Sequence, residues 1–146
     1  MHGFHQGLHV MGELIDKDTP DIFMLQEHWL TVAELYCFES HIVNYFSFGC
    51  CALSKNVECG MLCGRPLSGV ITLVGNHLRQ YTTTIHCEKR FVIVKVCNYL
   101  LINVLYLPRV GSPDCIAVCD DVLLFCHGAI VITIVNVLLL VISIPI

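Results

Sequence analysis

The sequence predicts an α/β protein in which sheet strands are covered by helices, and three observations predict it. The run Asp21-Ile22-Phe23-Met24-Leu25-Gln26-Glu27-His28-Trp29-Leu30 is apolar up to a Gln-Glu pair and stops at His-Trp-Leu. That is the mark of a buried strand whose carboxylate emerges at the C-terminal end, where α/β proteins place ligand-binding groups. The stretch from Val70 to Tyr106 is rich in β-forming segments. Helical patterns flank the strands on both sides.

Taken in order, Leu8, Met11, Leu14 and Ile15 recur at helical spacing. Gln6 to Lys17 therefore reads as an amphipathic helix, and Thr19-Pro20 ends it. Ile22 to Gln26 follows as a fully buried strand. Thr31 to Phe38 reads as a short helix with Glu34 in its first turns. Tyr45 to Leu53 reads as a strand, and Ser54 to Ser68, with its glycines and Pro66, as a loop. Val70 to Val74, Leu78 to His86, Phe91 to Val96 and Leu100 to Tyr106 read as strands, with Cys97-Asn98-Tyr99 as a hairpin turn. Ser112-Pro113-Asp114 begins a helix that runs to about Leu124.

The chain has 146 residues, enough for one domain with a real core. It is 55% hydrophobic and only 14% charged, with a mean hydropathy of +0.71. So much apolar surface predicts self-association or a membrane segment. The net charge of −4 gives no basic footprint, which weighs against tight DNA binding by this chain alone. Met1-His2-Gly3-Phe4-His5-Gln6-Gly7 has neither a basic start nor an apolar core and does not read as a signal peptide. The ten cysteines, several of them inside apolar runs, read as reduced buried thiols of a nuclear or cytoplasmic protein. Ala129 to Ile146 carries no charge. As a helix it would reach roughly 27 Å, close to the thickness of a bilayer core. A small membrane-anchored protein is thus the alternative reading, although β-branched residues, Pro145 and the lack of flanking cations make a weak anchor.

Glu27 is the leading candidate for chemistry. On the carboxylate alone an ordinary surface Glu after a strand is the better reading, and only the family resemblance given below reverses it. A hard cation such as Mg²⁺ takes carboxylate oxygens plus waters, often with one or two protein carboxylates. Held at a strand end, such an ion stabilises the charge that develops on a phosphate during cleavage. Tyr106, at the end of a strand and two residues before Pro108, is the second candidate. Cys59 with Cys63, Cys115 with Cys119, and His5 with His9 have spacings seen in metal half-sites, but ordinary structural roles explain all three better. His86-Cys87 lacks a third catalytic partner. Arg65, Arg79, Lys89, Arg90 and Arg109 are dispersed loop charges, and Asp120-Asp121 falls mid-helix, facing solvent.

The Leu25-Gln26-Glu27 context, Gly64-Arg65-Pro66-Leu67-Ser68-Gly69-Val70 and Ile102-Asn103-Val104-Leu105-Tyr106-Leu107-Pro108 together resemble the N-terminal half of an endonuclease/exonuclease/phosphatase domain. The nearest likeness is to the DNA-nicking endonuclease of LINE-type (non-LTR) retrotransposons, which act beside a reverse transcriptase. The resemblance covers Gly3 to about Leu124. It implies a partial four-layer αββα sandwich (DNase I-like), truncated to about one sheet plus flanking helices. Residues 1–124 would be the partial domain and 125–146 an apolar tail. It also implies Mg²⁺ on Glu27, catalytic contacts from Tyr106 and Asn103, and DNA as partner. The chain departs from the family pattern Asn-Val-Tyr-Leu-Pro by one extra residue, Leu105. Tyr106 and Asn103 therefore keep the family's orientation together only if a bulge intervenes.

Other family motifs are missing. The first-strand asparagine would fall before Met1, and neither a Gly-Asp-x-Asn motif nor a terminal Ser-Asp-His is present. The expectation is a truncated, inactive relative of a metal-dependent phosphodiesterase, with an uncovered sheet face that favours self-association. The tail has a specific reading as an out-of-frame translation. If Leu140 is TTG and residues 141–146 are GTG-ATT-TCA-ATA-CCG-ATA, reading from the last G of the Leu140 codon yields Gly-Asp-Phe-Asn-Thr-Asp, the missing motif.

Overall fold

The computed structural model describes residues 3–51, 59–60, 69–88, 90–104, 116–117, 120–124 and 136–139. Helix α1 spans Phe4–Asp18 and ends on Thr19, whose φ of 41° places it in the left-handed region and whose N–H bonds the Ile15 carbonyl. Strand β1 is Ile22–Gln26. A 3-10 turn, Val32–Glu34, leads into helix α2, Tyr36–His41. The Glu34 carboxylate accepts from both the Thr31 N–H (2.9 Å) and its hydroxyl (2.8 Å), which fixes the entry to this turn. Those two bonds, the backbone one first, hold the Glu34 carboxyl below the usual carboxylate range.

Strand β2 is Tyr45–Cys50, β3 is Val70–Gly75, β4 is Thr82–Glu88, β5 is Phe91–Val96 and β6 is Tyr99–Val104. A last short strand, β7, is Asn136–Leu139. The expected strand from Leu78 to His86 is corrected in its first part. Asn76–Tyr81 is a 3-10 helix, and the strand starts only at Thr82. The Thr82 hydroxyl donates to the Leu78 carbonyl (2.8 Å), closing the chain on itself where a strand would extend it. The expected turn at Cys97-Asn98 joins β5 to β6, with Cys97 at a φ of 53°.

The strands divide between two sheets, ordered β1-β3-β2 and β4-β5-β6-β7. The sequence reading allotted this length about one sheet; the second layer is in fact represented by β4 to β7. All described pairings are antiparallel except β6 with β7, which is parallel. A parallel neighbour requires a crossover, and residues 116–117 and 120–124, helical as expected, lie on it. Asp120 and Asp121 are exposed there.

Strand alternation sorts the core into three layers. Ile71, Leu73 and Tyr45 face Phe4, Met11 and Phe38 of the helices, with Phe23 and Leu25 packed alongside. Val70, Val74 and Phe46 face Val92, Val94, Val96 and Leu101 of the other sheet, and Ile22, Met24 and Phe48 fill the same layer. Phe91, Ile93, Leu100 and Ile102 form the far face, against which Val122 packs. The order is helix, sheet, sheet, helix: the αββα sandwich in partial form. The face expected to lie open is covered, because Val70 and Val74 are fully buried under the second sheet. Residues 136–139 of the apolar tail are part of that sheet. No described helix is long and apolar enough to cross a membrane.

Candidate functional site at the ends of β1 and β6

Strand β1 runs antiparallel to β3 in the register Ile22↔Val74 to Gln26↔Val70. Its C-terminal end meets that of β6, where the Gln26 side-chain amide donates to the Val104 carbonyl at 2.5 Å. This bond joins the two sheets at the point where β1 stops. The next residue is Glu27. Its N–H still bonds the Gly69 carbonyl (2.9 Å), but its φ of 60° breaks the strand geometry. Trp29 repeats the departure with a φ of 58°. Two left-handed non-glycine residues flanking His28 are costly, on the order of 1–3 kcal/mol each, and persist only where the surroundings enforce them.

The surroundings do so in four ways. The Gly3 N–H donates to the Glu27 carbonyl (3.0 Å) and the Phe4 N–H to the His28 carbonyl (2.8 Å), so the start of α1 grips the turn. The Trp29 indole N–H donates to the Glu27 carboxylate at 2.9 Å, orienting it. His28 is fully buried. The Leu30 N–H donates to its Nδ1 (3.1 Å), so Nδ1 is the acceptor and Nε2 carries the proton, which it gives to the Cys50 carbonyl at 3.1 Å. Burial holds the His28 pKa below the usual imidazole value, against smaller opposing effects of the Cys50 bond and the Glu27 charge.

Two glycines are required by this packing. A Cβ on Gly69, at a φ of 121°, would lie 2.3 Å from His28 Nε2. A Cβ on Gly3, at a φ of 86°, would lie 2.7 Å from the Trp29 ring. Residues 27–30 thus form a fixed turn seated on two side-chain-free positions, and it presents the Glu27 carboxylate, which is partly accessible.

Asn103 lies one residue before Val104 and is fully buried. Its amide donates to the Ile71 carbonyl (2.9 Å) and the Leu25 carbonyl (3.2 Å), a second tie between the sheets. Its Oδ1 is buried with no hydrogen-bond partner. Asn103 thus ties β6 to β1 and β3 and is shielded from solvent. Tyr106 lies outside the described residues, as do Arg65, Lys89, Arg109, Cys63, Cys115 and Cys119. His9 pairs with Glu13 at 3.5 Å on the exposed face of α1, and His86 stacks on Phe91. Arg79 lies over the Phe46 ring, 5.6 Å from its centre.

As a donor set for a hard cation, the described residues supply one oriented carboxylate. Both His28 nitrogens are engaged, and no group of three or more His, Cys, Asp or Glu able to hold a metal occurs among the described residues. One carboxylate is a share of a Mg²⁺ site and not a whole one. The sequence singles out Glu27 as a candidate but assigns no role to His28, Gly3 or Gly69. Gly69 stands there only as part of the Gly64–Val70 motif before an apolar strand.

No family model matches the chain, and no curated protein matches it. Among solved structures it is similar to the 3′ phosphatase NExo from Neisseria bound to a product DNA hairpin. The identity is 16% and the TM-score 0.47, over 70% of this chain and 37% of that one. It is also similar to the 3′-5′ exonuclease NExo from Neisseria meningitidis, at 15% identity and a TM-score of 0.49, over 76% of this chain and 41% of that one. The chain spans well under half the length of either enzyme. Likeness at this level does not by itself carry chemistry from one protein to another.

Proposed function

We propose that these residues form the front part of a metal-dependent phosphodiesterase domain of the endonuclease/exonuclease/phosphatase type, of LINE-type retrotransposon ancestry, and that the 146-residue chain alone does not cleave DNA. The observation that carries the reading is the strained turn after β1. It orients the Glu27 carboxylate through Trp29 at the end where Gln26 joins β1 to β6. A carboxylate held there, at the carboxyl ends of strands from two sheets, suits one ligand of a Mg²⁺ ion acting on a phosphate. Tyr106 would contact the scissile phosphate. Asn103 would keep the β6 end in place and leave direct contact with substrate to others.

The inactivity follows from the donor set among the described residues. One carboxylate supplies neither the full coordination of the ion nor a base to activate water. DNA is the proposed substrate class of the complete domain, and with a net charge of −4 this chain alone should hold it weakly. The test is nicking of supercoiled plasmid by the purified chain in Mg²⁺, beside Glu27→Ala. The expected result is no conversion above buffer for either protein. Robust nicking by the parent that is lost in the variant would overturn the inactivity while supporting the site. Robust nicking by both proteins would overturn the site.

A further inference from the structure

Cys50 ends β2, the edge strand of one sheet, and Cys87 sits near the end of β4, the edge strand of the other. Alternation puts both on the inner faces. Cys50 belongs with Phe46 and Phe48 in the layer between the sheets, and Cys87 pairs across β4–β5 with Val92 of that layer. The two side chains meet at the rim of the sandwich. The Cys50 thiol donates to the Glu88 carbonyl, beside Cys87, and the Cys87 thiol donates to the Gly49 carbonyl, beside Cys50, at 3.3 Å. Cys87 is exposed and Cys50 half-buried.

The geometry points to a redox site: Cys50 and Cys87 form a reversible disulfide, under a peroxide as oxidant, that staples the two sheets along their open edge. Attack by a thiolate begins the chemistry, and Cys87 is the better candidate to supply it. The proximity of the two sulfurs raises the Cys50 pKa, reinforced by burial, and holds the Cys87 pKa below the usual thiol range. The Cys87 thiolate attacks one peroxide oxygen, the O–O bond breaks, and a sulfenic acid forms with release of hydroxide, which takes up a proton to become water. The Cys50 sulfur then attacks the sulfenic sulfur. The S–S bond forms, the S–O bond breaks, and a second water leaves with the Cys50 proton. Two thiols are oxidised by two electrons and one peroxide is reduced to two waters. A dithiol reductant reverses the step by thiol–disulfide exchange.

The staple closes a loop that contains Gly69 and β3, and it fixes the strand whose Cys50 carbonyl receives His28. It should therefore stiffen the support of the Glu27 turn. The test exposes the full chain to rising hydrogen peroxide and alkylates the remaining thiols. Peptides are then mapped without reduction, with fragmentation to separate Cys50 from its neighbour Cys51. The expected product is an intramolecular Cys50–Cys87 link, reversed by dithiothreitol, with a melting temperature raised by on the order of 5–10 °C. Cys97→Ser, altered at the far end of the β4–β5 ladder, should give the same product, whereas Cys87→Ser should not. Recovery of Cys50 and Cys87 both alkylated under conditions that oxidise other cysteines would overturn the proposal. So would a Cys87 link to Cys51 or to a second chain. The parent map decides the matter even if Cys87→Ser does not fold.

Discussion

At the scale of single residues, the Glu27 turn depends on atoms that are absent. Gly69 leaves the space that His28 occupies, and its φ of 121° is one that side-chain-bearing residues avoid. Gly69→Ala should therefore both strain the backbone and force the imidazole off the Cys50 carbonyl. The expected loss is about 2–4 kcal/mol in urea denaturation. Gly12 is the internal control. It lies within α1 with nothing within 4 Å of its would-be Cβ, so Gly12→Ala should stabilise by about 0.5–1 kcal/mol. Equal effects of the two changes would mean that the packing of His28 on Gly69 does not matter.

His28 gives a pH dependence with a definite sign. Burial lowers its folded pKa below the unfolded value of about 6.5. Below that value the unfolded chain takes up a proton that the folded chain refuses, so stability is lost as pH falls. The contribution is complete above about pH 6.5 and declines toward the lowered folded pKa. The denaturation midpoint of the parent should therefore fall more steeply between about pH 7.5 and 5.5 than that of His28→Asn. Identical slopes would show that His28 is not held neutral.

At the scale of elements, two strand ends are tied by two side chains. Gln26 of β1 reaches the Val104 carbonyl, and Asn103 of β6 reaches the Leu25 and Ile71 carbonyls. Each bond crosses between the two sheets at the end of the sandwich where β1 and β6 stop. Asn103→Ala leaves two buried carbonyls without this donor and opens a small void, and the expected cost is about 2–3 kcal/mol in denaturant unfolding. A neutral result would mean that neither carbonyl depends on Asn103.

The elements also show what the sequence could reveal. Val70 to Val74 and Phe91 to Val96 are mostly apolar runs, broken only by Thr72 and Lys95, and both became central strands largely buried on two faces. Leu78 to Gln80 carries no such run, and there a local Thr82–Leu78 bond replaced the strand with a 3-10 turn. Glu27 was legible because it punctuates an apolar run. The rest of its setting was not, because His28 is defined by Cys50, 22 positions away, and Asn103 by Leu25, 78 positions away. Such partners become visible only when the sheets are paired. The uncovered inner face was expected for a like reason, since counting strands does not reveal that β4 to β7 fold back over β1 to β3.

At the scale of the whole molecule, the parallel pairing of β7 with β6 sets the end of the sheet toward which β7 points. Tyr99 pairs with Asn136 and Ile102 with Leu139, so both strands point the same way. A chain continuing beyond Leu139 therefore leaves the sheet at the end where Asn103 and Val104 meet Gln26. Acidic residues placed there would fall on the side of the molecule that presents Glu27. If Leu140 is encoded by TTG and the tail by the codons supposed above, the shifted reading would supply such residues as Gly-Asp-Phe-Asn-Thr-Asp. A chain bearing that hexapeptide in place of residues 141–146 should bind Mg²⁺ more tightly than the parent, by roughly tenfold, because a second carboxylate joins the first. Calorimetric titration with Mg²⁺ measures this. Glu27→Ala in the altered chain should return the affinity to the parent's level if the two carboxylates share one ion. An affinity unchanged by the hexapeptide, or a gain indifferent to Glu27, would mean that the ends of β1 and β7 do not build a common site.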